Sequence, residues 1–450
     1  MLERLRIQNF KSWQDTGDMA FGSLTGFFGT NSSGKSSILQ FLLMLKQTVE
    51  SSDRSRVLHL GDDKSYVDLG TMYDIIHNHE EPGDILFSFS WKLPFTLDKF
   101  FFADLKISDK SIKEVSFKAI VERKNNFVFL KQFEYGLNKH QNVIGAKRID
   151  STEIKYVSTF DELKFKKSKT SLITPQKFYG YEFPLNKIDW HFANLILQLS
   201  NTLERTFTNM HYLGPLREYP NRLYPWAGEQ TQNTGNRGER AIEALLSSQQ
   251  RGPTINMGKD QPKRTVEEHV AHWLKELGLI YSFKVQPIAP NRKEYEVRIQ
   301  RTAESASVFL TDVGFGVSQI LPVLVLLFYV PEGSTVILEQ PEIHLHPAVQ
   351  AGLADVFIDA IKRRKVQIIL ESHSEHLLQR LQRRIAEEVI SQEEIKLYFT
   401  SIEEGRSKLT TLELDEYGNI NNWPDGFFGD AFGEAAAKMK AEMKRKLQQQ

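Results

Sequence analysis

The 450-residue chain contains no cysteine, carries no net charge and has no long apolar run. Without cysteine there are no disulfides, no thiolate ligands for zinc and no thiol nucleophile, a composition suited to a reducing compartment. Lys plus Arg and Asp plus Glu both total 57, so no global field draws the chain toward nucleic acid or an anionic membrane. A local basic surface would be hidden in that sum. The longest apolar stretch, Ile320 to Val330, is too short to cross a bilayer and contains Pro322. The first residues, Leu2 to Phe10, alternate as a strand does and show no basic start followed by an apolar signal core. The expectation is a soluble, cytoplasmic protein without a membrane partner. No internal repeat is visible. What the chain does have is 40% hydrophobic residues, over a length that allows two or three compact units.

Its most informative feature is Gly29-Thr30-Asn31-Ser32-Ser33-Gly34-Lys35-Ser36. The run fits G-x-x-x-x-G-K-[ST], the phosphate-binding loop, or Walker A motif, of nucleoside triphosphatases. The glycines let the backbone curl so that successive N–H groups point at phosphates. Lys35 supplies a mobile positive charge for the β- and γ-phosphates, and the Ser36 hydroxyl suits Mg²⁺. Leu24 to Phe28 reads as a buried strand leading in, and Ser37 to Leu45 as a helix leading out. That helix would present its N-terminal partial positive charge to the anion.

The rest of the chain divides by pattern. Residues 1–83 hold two strands, the phosphate loop, its helix and a looser stretch. Residues 84–205 are a β-rich and helical insert. Ile85–Trp91, Val115–Val121 and Phe127–Leu130 alternate with period two and predict antiparallel sheet with one wet face. Helical periodicity follows over Trp190–Arg205 and again over Thr265–Leu277. Residues 206–430 alternate strand and helix from about 281 onward, as an α/β core requires. Residues 431–450 read as a basic helix or frayed end, and the lysine-rich run 164–169 as a solvated loop.

A second half of a nucleotide site lies in the C-terminal part. Thr335 to Leu338 is a buried strand ending in Glu339, the carboxylate a Walker B strand needs to hold Mg²⁺. Gln340-Pro341-Glu342-Ile343-His344-Leu345-His346-Pro347 follows directly. Another apolar strand, Val366 to Leu370, runs into Glu371-Ser372-His373-Ser374-Glu375-His376. A histidine just past a core strand can reach the γ-phosphate end of such a site. The glycine-rich turn Asp312 to Gln319 opens a helix whose N–H groups make a second anion surface, placed to serve a different nucleotide from the first. The pairs His344/His346 and His373/His376 also have metal-ligand spacing, a reading the motif context disfavours. Arg217 is open between a phosphate ligand and a partner for a core-edge acid. Trp423, Phe427 and Phe428 read as a plug docking the C-terminal segment.

The order of phosphate loop, glycine-rich signature, Walker B strand, His-Leu-His-Pro loop and Ser-His-Ser switch resembles the ABC-type ATPase heads of the SMC, RecF and overcoming-lysogenization-defect group. Asn9-Phe10-Lys11-Ser12 is similar to that group's opening strand. Tyr212 to Arg217, Glu339 to Pro347 and the tail Trp423 to Phe428 resemble a bacterial subfamily found among antiphage ATPase subunits of the Septu and PARIS kind. The resemblance covers residues 1–75 and about 205–430.

It implies an α/β P-loop head formed from both ends of the chain, binding ATP and Mg²⁺ between two heads of a homodimer or higher oligomer. Asn31, Ser32, Ser33, Gly34, Lys35, Ser36 and Ser37 would hold ATP from one side. Gly314, Gly316 and Ser318 would close over the γ-phosphate from the other. Ser36 and Glu339 would hold the metal, and His373 would sense the γ-phosphate. His344 and His346 would sit at the dimer seam.

Two departures stand out. The signature is Val-Gly-Phe-Gly-Val-Ser-Gln rather than Leu-Ser-Gly-Gly-Gln, and Gln340 occupies the position of the glutamate that activates water. An amide cannot take a proton, so either Glu342 substitutes or hydrolysis is slow. Residues 415–450 are too few for the nuclease domain of lysogenization-defect relatives. A separate nuclease or toxin effector is therefore expected, with the chain as an antiphage switch. The alternative is a RecF- or SMC-like DNA-repair or chromosome clamp that binds DNA directly, disfavoured by the charge balance and the lack of a heptad arm.

Overall fold

A computed structural model describes residues 1–79, 83–93, 113–124, 127–137, 142–149, 154–159, 174–182, 190–258, 261–424 and 438. The lysine-rich run 164–169, Phe427, Phe428 and the tail 431–450, except Lys438, lie outside them. Among the described residues two large sheets dominate. The first has six strands in the spatial order Met210–Leu213, Thr335–Glu339, Gln367–Glu371, Leu24–Gly29, Ile395–Glu403 and Arg406–Leu412. The first five run parallel and the last is antiparallel. Parallel strands are covered on both faces and so read as unbroken apolar runs, which is why Thr335–Glu339 and Gln367–Glu371 have almost no polar alternation.

Period two still sorts their side chains. Phe27, Ile337 and Ile369 enter one core, whereas Leu24, Phe28, Val336, Leu338, Ile368 and Leu370 enter the other. The first core lies between this sheet, the helix Lys35–Glu50 and an antiparallel sheet. The second packs the opposite face against the helices Ala241–Arg251, Val266–Glu276, Phe315–Tyr329, Pro347–Arg364 and Glu375–Ala386. By the same alternation, Glu339 and Glu371 fall on the face of Ile337 and Ile369, the side on which the Lys35–Glu50 helix starts.

The antiparallel sheet runs Trp13–Asp15, Leu2–Phe10, Asp84–Lys92, Glu114–Lys124, Phe127–Leu137, Asn142–Arg148 and Ile154–Ser158, with Met19–Ala20 also on Leu2–Phe10. The alternating segments past residue 83 do form antiparallel strands with one covered face, seen in the burial pattern of Asp84–Lys92. Their first strand pairs with the first strand of the chain, Leu5 opposite Phe89 and Ile7 opposite Phe87. Two short strands, Trp13–Asp15 and Met19–Ala20, were not legible in the sequence; each is too brief to show a period.

Gln367 joins the two sheets. Its side-chain amide donates to the carbonyls of Leu2 (2.7 Å) and Gly22 (3.0 Å), and its oxygen accepts from Leu2 N (2.9 Å) and Thr335 Oγ1 (3.0 Å). Both anticipated helices are present, as Trp190–Thr208 and Val266–Glu276. Thr265 caps the second through a box with Glu268. The α/β head built from both ends of the chain is the fold the sequence led us to expect. Among the described residues no helix is long and apolar enough to cross a membrane.

Candidate nucleotide-binding site

The loop after Leu24–Gly29 is held by contacts that only glycine permits. Gly34 has φ of 95° and caps the helix Lys35–Glu50 with no side-chain hydrogen bond. A Cβ at Gly34 would lie 2.6 Å from Ser407 Oγ, 2.8 Å from Trp13 Nε1 and 2.9 Å from Ser12 Oγ. Trp13 Nε1 donates to the Gly34 carbonyl at 3.0 Å, so the N-terminal hairpin braces the loop from below. Ser33 is buried; its hydroxyl donates to the Thr30 carbonyl (2.7 Å) and meets Thr400 Oγ1 at 2.5 Å. Its side chain thus serves the loop's shape, leaving its backbone for a ligand. Asn31 and Ser32 are exposed, and Ser37 is half-buried.

Lys35 is buried, and its ammonium donates to the carbonyls of Gly29 (3.1 Å) and Thr30 (2.7 Å). Burial pulls its pKa down, partly offset by the Glu371 carboxylate. An arriving phosphate would exchange two neutral acceptors for an anion.

Three acids gather at the C-terminal ends of the neighbouring strands, the usual place for a ligand in a parallel sheet. Glu339 and Glu371 are register partners. The Ser36 hydroxyl donates to Glu371 Oε2 at 2.7 Å. Glu339 Oε1 accepts from the Tyr212 hydroxyl at 3.2 Å. Burial, then repulsion from Glu371, pushes Glu339 up to about 7, and burial likewise raises Glu371. Glu342 is buried and turned toward the switch segment: its Oε1 accepts the His373 N–H at 2.7 Å, and burial raises its pKa. His373 keeps part of its surface open to solvent, and its pKa is lowered by partial desolvation and then by Lys35. Gln340 adopts a φ of 45° and donates its N–H to the Glu371 carbonyl at 2.9 Å.

Arg217 is 7% exposed beside these acids, and Nε and Nη1 have no partner; burial lowers its pKa to about 10. The hard oxygens of Ser36, Glu339 and Glu371 are the donor type magnesium takes. Among the described residues no three His, Asp or Glu side chains are gathered to hold a metal by themselves.

The glycine-rich turn opens the helix Phe315–Tyr329, whose N-cap Gly314 makes no side-chain cap bond. Phe315 meets His344 edge-on at 5.1 Å, and a Cβ on Gly316 would lie 3.8 Å from Leu345. The Ser318 hydroxyl donates to the Phe315 carbonyl at 2.8 Å, inside its own helix. His346 caps the helix Pro347–Arg364 by accepting from Ala348 N, and Ser374 caps Glu375–Ala386.

With this geometry in place, the comparison with known families is direct: the model of the AAA ATPase domain matches residues 1–378. The chain belongs to that family. A second model, described as a protein of unknown function (DUF3696), matches residues 390–437 of this ATPase. No curated protein matches it. Among solved structures it is similar to an SMC head bound to the C-winged helix domain of ScpA, at 12% identity and TM-score 0.47, covering 92% of this chain and 98% of the other. The SMC head domain from Thermotoga maritima gives 12% and 0.41 with coverage of 92% and 99%. An Smc head with an extended coiled coil, bound to the C-terminal domain of ScpA derived from Pyrococcus furiosus, gives 11% and 0.43 with coverage of 98% and 99%.

In the ATPase, Lys35, Ser36 and Glu339 converge at one end of the sheet, and Glu342 reaches the backbone of His373. Gly316 and Phe315 lie instead against the His344–Leu345 turn, while a Cβ on Gly314 would meet nothing within 4 Å and Ser318 bonds within its own helix. The residue missed by sequence reasoning is Glu371. The signal was present, since Gln367–Glu371 is an apolar strand ending in glutamate, just as Thr335–Glu339 is.

Proposed function

We propose that two copies of this ATPase clasp ATP and Mg²⁺ between them and act as a switch. Residues Asn31 to Ser37 of one copy would face Gly314, Gly316 and Ser318 of the other. The observation that carries this reading is the outward opening of the second anion surface. A Cβ on Gly314 would meet nothing within 4 Å, and Phe315 beside it is 48% exposed. That leaves an uncapped helix N-terminus free for a ligand brought from outside the chain.

Lys35 would hold the β- and γ-phosphates while Ser36 and Glu339 hold the metal, and His373 would report the γ-phosphate. Bound magnesium would offset charge developing on the phosphate oxygens. Gln340 cannot take a proton, so hydrolysis is slow and the closed dimer long-lived. Glu342, facing the His373 backbone, supports the switch rather than replacing the base.

The biological role that fits the motif resemblance is the cytoplasmic ATPase subunit of a bacterial antiphage system, sensing invasion and controlling a separate nuclease or toxin. Light scattering tests the switch: mass should double with AMP-PNP and not with ADP, and Gly314→Asp should block doubling while AMP-PNP still binds. Co-purification with the product of a neighbouring gene tests the role. ATP-dependent, salt-sensitive DNA binding by the chain alone would instead favour a RecF- or SMC-like clamp.

A further inference from the structure

We propose that the Glu371 carboxylate holds the magnesium ion of this site, directly or through one of its waters, a role that among the acids the sequence motifs give only to Glu339. The inference rests on the nucleotide site and not on the dimer or the defence role. Three observations carry it.

The first is reach. Ser36 bears the hydroxyl expected on the metal, and its Oγ lies 2.7 Å from Glu371 Oε2. Neighbouring oxygens around an octahedral magnesium, at 2.0–2.1 Å from the ion, are about 2.9 Å apart. The Ser36–Glu371 contact is therefore close to the edge of such a shell, and the two oxygens are already placed as neighbours.

The second is strand order. Gln367–Glu371 is bonded directly to the loop strand Leu24–Gly29, with Glu371 opposite Phe27. Thr335–Glu339 lies one strand further out, a spacing of about 4.8 Å. Glu339 in turn is held from its far side by the Tyr212 hydroxyl. Glu371 is thus the nearer of the two acids to the phosphate loop.

The third is an unfinished donor set. Glu371 is 4% exposed, with a second carboxylate as its register partner, while the protons of Lys35 are directed at the Gly29 and Thr30 carbonyls. A buried carboxylate beside a half-buried one is an environment in which a cation between them favours the charged forms of both. Yet among the described residues no third acid or histidine completes a protein-only site. A hydroxyl and two carboxylates completed by nucleotide phosphate oxygens is the arrangement magnesium favours over an all-protein cage.

The test uses the full chain with saturating AMP-PNP and Mn²⁺ as the probe, free Mn²⁺ being read by electron paramagnetic resonance. Glu371→Gln should weaken Mn²⁺ by about 10- to 100-fold. Metal-free AMP-PNP binding, measured in EDTA, should not weaken, since the substitution removes a negative charge beside the phosphates and an amide oxygen can still accept from Ser36. Wild-type Mn²⁺ affinity in Glu371→Gln, alongside its loss in Glu339→Gln, would overturn the proposal. A crystal structure of the wild-type chain with AMP-PNP and Mn²⁺ does not depend on the variant folding. A Glu371 oxygen on the manganese or on one of its waters supports the assignment, and a carboxylate turned away from both overturns it. Mn²⁺ binding that needs Glu371 in a chain that stays monomeric would sink the switch and leave this inference standing.

Discussion

Replacing Gly34 by alanine should damage both the stability of this ATPase and its grip on nucleotide, for reasons that can be added up. A non-glycine residue in a left-handed conformation such as the φ of 95° found here costs about 1–2 kcal/mol. The new methyl would also press on Ser407 Oγ, Trp13 Nε1 and Ser12 Oγ, all closer than 3.0 Å. None of these can yield cheaply. Trp13 is fully buried and donates to the Gly34 carbonyl, and the Ser407 and Ser12 hydroxyls are bonded to each other at 2.6 Å. Losing one such hydrogen bond adds about 0.5–1.5 kcal/mol.

The expected destabilisation is therefore about 1.5–3.5 kcal/mol by denaturant unfolding. Because Lys35 and Ser36 follow directly in the chain, a loop shifted to relieve the clash misplaces both, and nucleotide affinity should fall at least about tenfold in a fluorescent-ATP titration. Gly278→Ala is the control. That residue has φ of +70° with nothing within 4 Å of a Cβ, so it pays the backbone cost alone and should leave nucleotide binding intact. If Gly34→Ala unfolds no more easily than Gly278→Ala and binds nucleotide normally, the bracing of the loop by the N-terminal hairpin is wrong.

Further outcomes follow from the same contacts. Ser33→Ala removes the bridge between the Thr30 carbonyl and Thr400, so stability should drop by about 1–2 kcal/mol and nucleotide affinity by a few-fold, with turnover of bound ATP little changed. Glu342→Gln keeps an acceptor for the His373 N–H and should retain most of the turnover, whereas Glu342→Ala orphans that N–H and should lower it; turnover abolished in Glu342→Gln would mark Glu342 as the base. His211 has its pKa lowered to about 4 by burial, with Lys46 adding to the effect, and its Nε2 lacks a partner. Protons then bind the unfolded chain more readily. Stability is fully present above pH 6.5 and is lost as pH falls toward 4, by about 2–3 kcal/mol, a slope that His211→Phe should flatten in pH-dependent unfolding.

The legible parts of this molecule were those written in short, contiguous signals. The phosphate loop, the strands ending at Glu339 and Glu371 and the helix starting at Phe315 each occupy a single run, so periodicity and glycine placement sufficed to find them. What escaped was set by neighbours distant in sequence. Nothing in Trp13 or Ser407 announces that they meet at Gly34, because that contact joins segments almost 400 residues apart only after Arg406–Leu412 pairs at the sheet edge. The same holds for Gln367, which reads as a lapse in an apolar strand and proves to be the joint between sheets.

Glu371 is the instructive case. Motif reading stops at one acid per Walker B strand, and it cannot say which strand lies next to the phosphate loop. Spatial order decides that, and here the adjacent strand is Gln367–Glu371. A strand contributes an acid to a phosphate site by where its C-terminal end falls in the sheet. In a parallel sheet wound in this order, every neighbour of the loop strand is therefore a candidate whatever its motif.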